Sequence, residues 1–121
     1  MLKFADLFCG GGGMSLGLIA SGMKDAVAVD FWEAAKNNYT TYEPLSHSEF
    51  LQLNLFDDNN KDKVVEILKK KKIDVLAGGP PCQGFSTLGK REEKDLRNKL
   101  VDAYLSIALR VFPKMIIMEN V

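Results

Sequence analysis

Five short apolar runs, each closed by a turn signal and separated from the next by residues at helical spacing, set the strongest limit on what this chain can fold into. The runs are Leu2 to Phe8, Ala26 to Asp30, Phe50 to Leu55, Ile73 to Ala77 and Lys114 to Met118. Helices are predicted between them over Met14 to Ala20, from after Asp30 through about Tyr39, from a cap at Asp57 or Asp58 onward, and over Leu100 to Phe112. Ser21-Gly22 and Pro113 stop the first and last of these. Lys69 to Lys72 close the third, where positive charge suits the negative end of the helix dipole. Residues 78 to about 97 read as a long polar loop. Strand alternating with helix predicts an α/β fold, a parallel sheet with helices on both faces. In such sheets ligands bind beyond the carboxyl ends of the strands. That rule selects Phe8 to Gly13, Asp30-Phe31, Gly78 to Ser86 and Glu119-Asn120.

The bulk numbers narrow the class further. A chain of 121 residues suits one domain and is long enough for a core of its own. Lys+Arg and Asp+Glu are both 16, so the basic excess of a stand-alone nucleic-acid binder is missing. Cys9 and Cys82 are the only cysteines and His47 the only histidine, so no zinc spacing exists and no metal is expected. Two distant cysteines suit a reducing cytoplasm. No apolar run approaches the ~20 residues that span a bilayer, and the first residues lack the apolar core of a signal peptide.

Three stretches carry candidate chemistry. DLFCGGGG, residues 6 to 13, puts four glycines between a strand and a helix, where bare backbone can approach a ligand and aim N–H groups at it. The dinucleotide fingerprint G-x-G-x-x-G is not met, because its third glycine falls on Ser15 or Leu16. Asp30 ends the second strand, where a carboxylate can accept from both hydroxyls of a ribose, with Phe31 beside it for a flat base. A helix N-cap beside a core phenylalanine accounts for the same two residues. GFSTLGK, residues 84 to 90, imitates a phosphate loop, but Arg91 stands where the metal-binding hydroxyl belongs. In GGPPCQGFS, residues 78 to 86, paired prolines stiffen the turn and present Cys82 at the ligand edge. That placement suits a thiolate nucleophile. A small apolar side chain packed under a loop is the competing reading.

DLFCGGGG, GGPPCQGFS and the terminal ENV, in this order, resemble the DNA (cytosine-5)-methyltransferases across essentially the whole chain, residues 3 to 121. The resemblance implies a Rossmann-like S-adenosylmethionine-dependent methyltransferase sheet. It implies that Phe8, Gly10, Gly12 and Gly13 hold the methionine part of S-adenosylmethionine, Asp30 its ribose, and Phe31 its adenine. Leu53-Asn54-Leu55 falls where the family often shows Gly-Asp-Ile, so Asn54 and Leu55 are expected at the adenine. Pro80 belongs to the catalytic turn, and Leu100, in a D-x-R-x-x-L pattern with Asp95 and Arg97, lines the cofactor pocket. Cys82 and Glu119 are the implied catalytic pair. Gln83, Ser86, Arg97 and Asn120 are the implied contacts to the substrate, a base flipped out of double-stranded DNA. Lys90, Arg91, Lys94 and Arg97, in the loop from Phe85 to Asn98, could close over a phosphate backbone; a solvated charged loop is the competing reading, because Glu92, Glu93 and Asp95 dilute the charge. No metal is required. The family continues past ENV with a target-recognition region and a last cofactor motif. Residues 1–121 are therefore expected to be the N-terminal part of a catalytic domain, inactive alone and completed by a further segment or subunit. A bacterial restriction-modification setting follows from family habit. An RNA cytosine-5 methyltransferase and a non-catalytic S-adenosylmethionine-binding module are the alternatives.

Overall fold

The computed structural model describes residues 1–81 and 91–119, with backbone alone over 91–98. Among these residues, five strands form one sheet in the order β3-β2-β1-β4-β5, every neighbouring pair parallel. The strands are β1 (Lys3–Leu7), β2 (Lys24–Asp30), β3 (Glu49–Gln52), β4 (Val75–Gly78) and β5 (Met115–Met118). The helices are α1 (Gly13–Ala20), α2 (Glu33–Thr41), α3 (Asp58–Lys70) and α4 (Arg91–Val111). The chain winds outward from β1 to β3, then returns to the other side of β1 for β4 and β5. This reversal opens a crevice at the carboxyl ends of β1 and β4, the place where open α/β sheets bind ligands.

Side chains alternate across the sheet and build a core on each face. Leu7, Val27, Val29 and Leu76 point to the side covered by α3 and α4, where they meet Val64, Leu68, Tyr104 and Ile107. Cys9, Ala28, Tyr39 and Leu45 form a second cluster on the opposite side, with Leu16, Ile19 and Phe50 packed against it. Ala103, Tyr104, Ile107 and Ala108 are the buried stripe of α4, at the spacing an amphipathic helix requires.

The predicted class and element order hold, and the boundaries move for identifiable reasons. The third strand, expected over Phe50 to Leu55, stops at Gln52 because Asn54 turns the chain: its Oδ1 accepts the Phe56 amide at 3.0 Å. The fourth strand begins at Val75 and not at Ile73, because the Ile73 amide still caps α3 by donating to the Leu68 carbonyl at 3.2 Å. The largest correction is α4, which starts at Arg91 inside the expected loop. Its first turns, REEKDLRNK, contain strong helix formers but one apolar residue, so a search for apolar spacing passes over them. Asp57 caps α3, accepting from the Asn59 amide at 2.8 Å. A 3-10 turn over Glu43–Leu45 was not expected; it buries Leu45 under the glycine-rich stretch.

The two sheet edges differ in chemistry. β3 reads Glu-Phe-Leu-Gln, with polar residues at both ends, the usual protection of an exposed edge. β5 reads Met-Ile-Ile-Met, the apolar run of an interior parallel strand, yet Met115, Ile116 and Met118 are 44–49% exposed. Leu105 and Leu109 on α4, with Phe112 just past its end, add an exposed apolar stripe. Among the described residues no helix is long and apolar enough to cross a membrane.

Candidate functional site

A cleft of about 420 Å³ opens beyond the strand ends. It is lined by Phe8 and Gly10 after β1, by Val29 to Trp32 at the end of β2, by Leu53 to Phe56 after β3, by Gly79 and Pro81 after β4, and by Leu100 of α4. Of the expected cofactor residues, Phe8, Gly10, Asp30, Phe31, Asn54, Leu55 and Leu100 line this cleft. They come from four separate places in the sequence, three of them strand ends that the parallel sheet delivers to one edge and the fourth, Leu100, on α4.

Asp30 organises the rim. Its Oδ2 accepts the Gly10 amide at 2.9 Å and its Oδ1 accepts the Trp32 amide at 3.1 Å. The carboxylate thus ties the end of β2 to the glycine turn, and each oxygen retains a lone pair for a ligand hydroxyl. It is not the N-cap of α2: that position is Trp32, which makes no side-chain cap bond. Phe31 and Trp32 stand 59% and 60% exposed at the mouth, with ring centroids 6.4 Å apart. Two exposed aromatic faces beside an otherwise apolar cleft offer a flat ring a place to stack. Leu55 forms the floor. Asn54 has already turned its oxygen to the Phe56 amide, which leaves one lone pair for the role implied for it.

The glycine turn divides its labour. Gly10 faces the cleft, whereas Gly12, at φ +93°, lies beneath it. A Cβ on Gly12 would stand 2.5 Å from Leu45 Cδ1, so this glycine answers to packing and backbone conformation. Gly13 is the exposed first residue of α1 and lines no part of the cleft. Pro80 is buried while its neighbour Pro81 reaches the cleft wall. Glu119 follows β5, its amide donating to the Gly78 carbonyl at 2.9 Å. Its Oε2 lies 3.0 Å from where a Cβ on Gly79 would be, so the bare backbone of Gly79 makes room for this carboxylate. Cys82, Gln83, Ser86, Lys90 and Asn120 lie outside the described residues, and the side chains of Arg91, Lys94, Asp95 and Arg97 do as well. Sequence reasoning missed Trp32 and Phe56 on the cleft wall, each next to a residue that it did select; Gly79 and Pro81 fall inside the Gly78 to Ser86 stretch that it selected, without a role of their own.

Below the turn lies a buried polar group that the sequence reading did not select. Asp6 of β1, Ser15 of α1 and Tyr39 of α2 are each at most 1% exposed. Ser15 Oγ donates to Asp6 Oδ2 at 2.7 Å and lies 2.7 Å from Tyr39 OH. Burial pushes the Asp6 carboxyl up from 3.8 to about 6, against the opposing pull of the Ser15 hydroxyl. Burial likewise pushes the Cys9 thiol far up, which leaves Cys9 inert as a nucleophile.

The Asp6 shift has a consequence for stability. The folded chain holds this proton more tightly than the unfolded chain, so its contribution is complete below about pH 4 and is lost as pH rises through about 6. Two pKa units correspond to about 3 kcal/mol. The melting temperature is expected to fall between about pH 4 and about pH 7, and Asp6→Asn is expected to flatten that fall. Asp58 and Asp74 do not confuse this window. The Lys61 hydrogen bond to the first and the Lys3 amide hydrogen bond to the second hold both carboxyls below their ordinary value, so they act at lower pH. Thermal melts across the range check the expectation.

Comparison with known proteins gives this architecture a family. The family model described as C-5 cytosine-specific DNA methylase matches residues 2–121. The chain is 38% identical over 120 residues to the type II methyltransferase M.HgiGI of Herpetosiphon aurantiacus, spanning 99% of this chain and 90% of that protein. It is also 38% identical over 122 residues to M.HgiDI of the same organism, but there it spans 37% of the relative's length. Among solved structures, a prophage-encoded E. coli protein named for DNA modification methyltransferase activity superposes with a TM-score of 0.78 at 29% identity, over all of this chain and 32% of that one. The chain belongs to the C-5 cytosine-specific DNA methylase family.

Proposed function

We propose that this chain carries the cofactor cleft and the nucleophile of an enzyme that moves a methyl group from S-adenosylmethionine to carbon 5 of cytosine in DNA. The observation that carries the reading is the cleft itself. It joins a carboxylate able to accept from a diol, two exposed aromatic rings, a glycine turn whose backbone reaches the wall at Gly10 and a leucine-rich floor, and it ends at Pro81, next to Cys82 in sequence. This donor set fits a nucleoside with an amino-acid tail. Asp30 would take the ribose, Phe31 and Trp32 the adenine, and the Phe8–Gly13 turn the methionine part. Gly79, Pro81 and Leu100 would close the side from which the methyl departs, with Pro80 buried behind them.

S-adenosylmethionine, when bound, supplies an electrophilic methyl on sulfur. The chain's own residues supply the rest. The Cys82 thiolate adds to carbon 6 of the ring, which breaks aromaticity and makes carbon 5 nucleophilic. Glu119 would accept from the amino group and, in its acid form, donate its proton to the ring nitrogen, which neutralises the negative charge that develops there. Carbon 5 would take the methyl as the methyl–sulfonium bond breaks and leaves a neutral thioether; carbon 5 would then give its proton to water, and the carbon–sulfur bond to Cys82 would break to release the thiolate and restore the ring. Gln83, Ser86, Arg97 and Asn120 would contact the flipped base and its backbone. The medium is a bacterial cytoplasm, and no metal takes part.

A further polypeptide segment completes the enzyme. The chain spans about a third of the length of M.HgiDI, and of the prophage protein as well. The apolar edge of β5 and the exposed stripe of α4 suit cover by such a segment, which would bring most contacts to DNA.

Calorimetric titration with S-adenosylhomocysteine tests the cleft without requiring turnover. Saturable binding at one site is expected, and Asp30→Ala should weaken it by about tenfold or more, because it removes both a ligand acceptor and the tie to Gly10. A chain that melts cooperatively and does not bind would overturn the cofactor assignment for residues 1–121.

A further inference from the structure

The polar group beneath the glycine turn takes no part in the chemistry above, and stability alone does not account for it. A carboxylate buried to 1% exposure is expensive, and three apolar side chains of similar shape would pack there at lower cost. Its geometry is ordered. A serine hydroxyl has one proton, and Ser15 gives that proton to Asp6 Oδ2 at 2.7 Å. The 2.7 Å contact to Tyr39 is then a donation from the tyrosine hydroxyl to Ser15 Oγ. The bonds run in one sense, from α2 through α1 to β1, and they bind these three elements together at the turn. Tyr39 also touches the turn directly, its Cε2 lying 3.4 Å from where a Cβ on Gly12 would be. Other groups that act on Asp6 and its partners are Asp30 at the end of β2, the Cys9 thiol within the turn, and Tyr104 across the sheet on α4. From above, the turn is tied by Asp30 through the Gly10 amide.

We propose that Asp6, Ser15 and Tyr39 are positioning residues: a buried relay that fixes the Phe8–Gly13 turn from below, as Asp30 fixes it from above, and so sets the shape of the cleft. The relay stands on its own geometry. Its consequence for ligand affinity rests on the cofactor reading of the cleft.

Tyr39→Phe and Ser15→Ala test it in the intact chain. Each removes one hydroxyl and keeps most of the packing. Two readouts need no ligand. In carboxyl carbon NMR the Asp6 titration midpoint should move up in both variants, because the hydroxyls of Ser15 and Tyr39 favour the ionised form. In hydrogen exchange the Gly10 and Gly12 amides should lose about tenfold in protection relative to the amides of β4. S-adenosylhomocysteine affinity should fall in parallel, by about tenfold. An unmoved Asp6 midpoint with unchanged turn protection overturns the relay. Equal loss of protection in turn and sheet also overturns it, since that marks a general packing role. Turn protection that falls while even the unaltered chain takes no S-adenosylhomocysteine supports the relay and rejects the cofactor reading.

Discussion

Gly78→Ala is expected to cost about 3 kcal/mol and to deform the cleft, the largest loss of stability that a single added methyl should cause at the described glycines. Gly78 is the last residue of β4, where the strand meets the crevice. A Cβ there would stand 2.7 Å from the Leu7 carbonyl oxygen of the adjacent strand and 2.6 Å from Tyr104 Cε2. Neither neighbour can yield. The carbonyl belongs to the β1–β4 ladder, where Leu7 pairs with Gly78. The Tyr104 ring is pinned by its hydroxyl, which donates to the carbonyls of Leu76 at 2.8 Å and Ile117 at 3.2 Å. Moving either would part β1 from β4 at the point where their ends shape the ligand site. Gly17→Ala is the control. Gly17 lies within α1 with nothing inside 4 Å of its Cβ position, so that change should stabilise by about 0.5–1 kcal/mol. Equilibrium unfolding in denaturant separates the two. A Gly78→Ala chain as stable as wild type would mean that β4 and α4 are not packed as described.

What the sequence showed and what it hid follow from the same physics. The sheet was legible because strands buried on both faces must be continuously apolar, as Val75 to Gly78 are, and because glycines and prolines mark where they end. The rim residues were legible because topology sends every strand end to one edge: Asp30, Asn54 and Gly79 are distant in sequence and neighbours in the cleft. Three things were hidden. The first turns of α4 carry charge where the search required apolar residues. Gly12 reads as a ligand glycine, although its surroundings are Leu45 and Tyr39, brought under the turn by a 3-10 segment that no periodicity announces. Asp6 looks in sequence like one more residue of a conventional strand end. Its burial and partners depend on α1 and α2 folding back over β1, which is a tertiary fact. In each case the sequence supplies the residue type and the fold supplies the reason for it.

Cys82→Ser should have the largest effect on activity, a loss of about 10⁴-fold or more in methyl transfer by the completed enzyme. The argument is chemical. Attack on carbon 6 of an aromatic ring needs a strong nucleophile near neutral pH. A thiol supplies a small but highly reactive thiolate fraction there, and a serine hydroxyl supplies almost none. The chain's other thiol cannot substitute, because Cys9 is buried and its ionisation is pushed far up. The described residues that precede Cys82 in sequence are held at the cleft: Pro81 lines its wall, and Glu119 lies over Gly79. The measurement is covalent trapping. A duplex carrying 5-fluorocytosine lacks the carbon 5 proton that must leave, so the adduct cannot resolve. With the chain joined to the remaining segment of a relative such as M.HgiDI, the adduct should form in the presence of S-adenosylmethionine. Peptide mapping should place it on the Cys82 peptide and not on the Cys9 peptide. Cys82→Ser should form none while binding S-adenosylhomocysteine as tightly as before, because the nucleophile acts on the base and not on the cofactor. An adduct that survives the substitution would reject Cys82 as the nucleophile. Loss of cofactor binding along with the adduct would instead show that the Pro80–Cys82 turn shapes the cleft, and that its rigidity serves the cofactor before it serves the base.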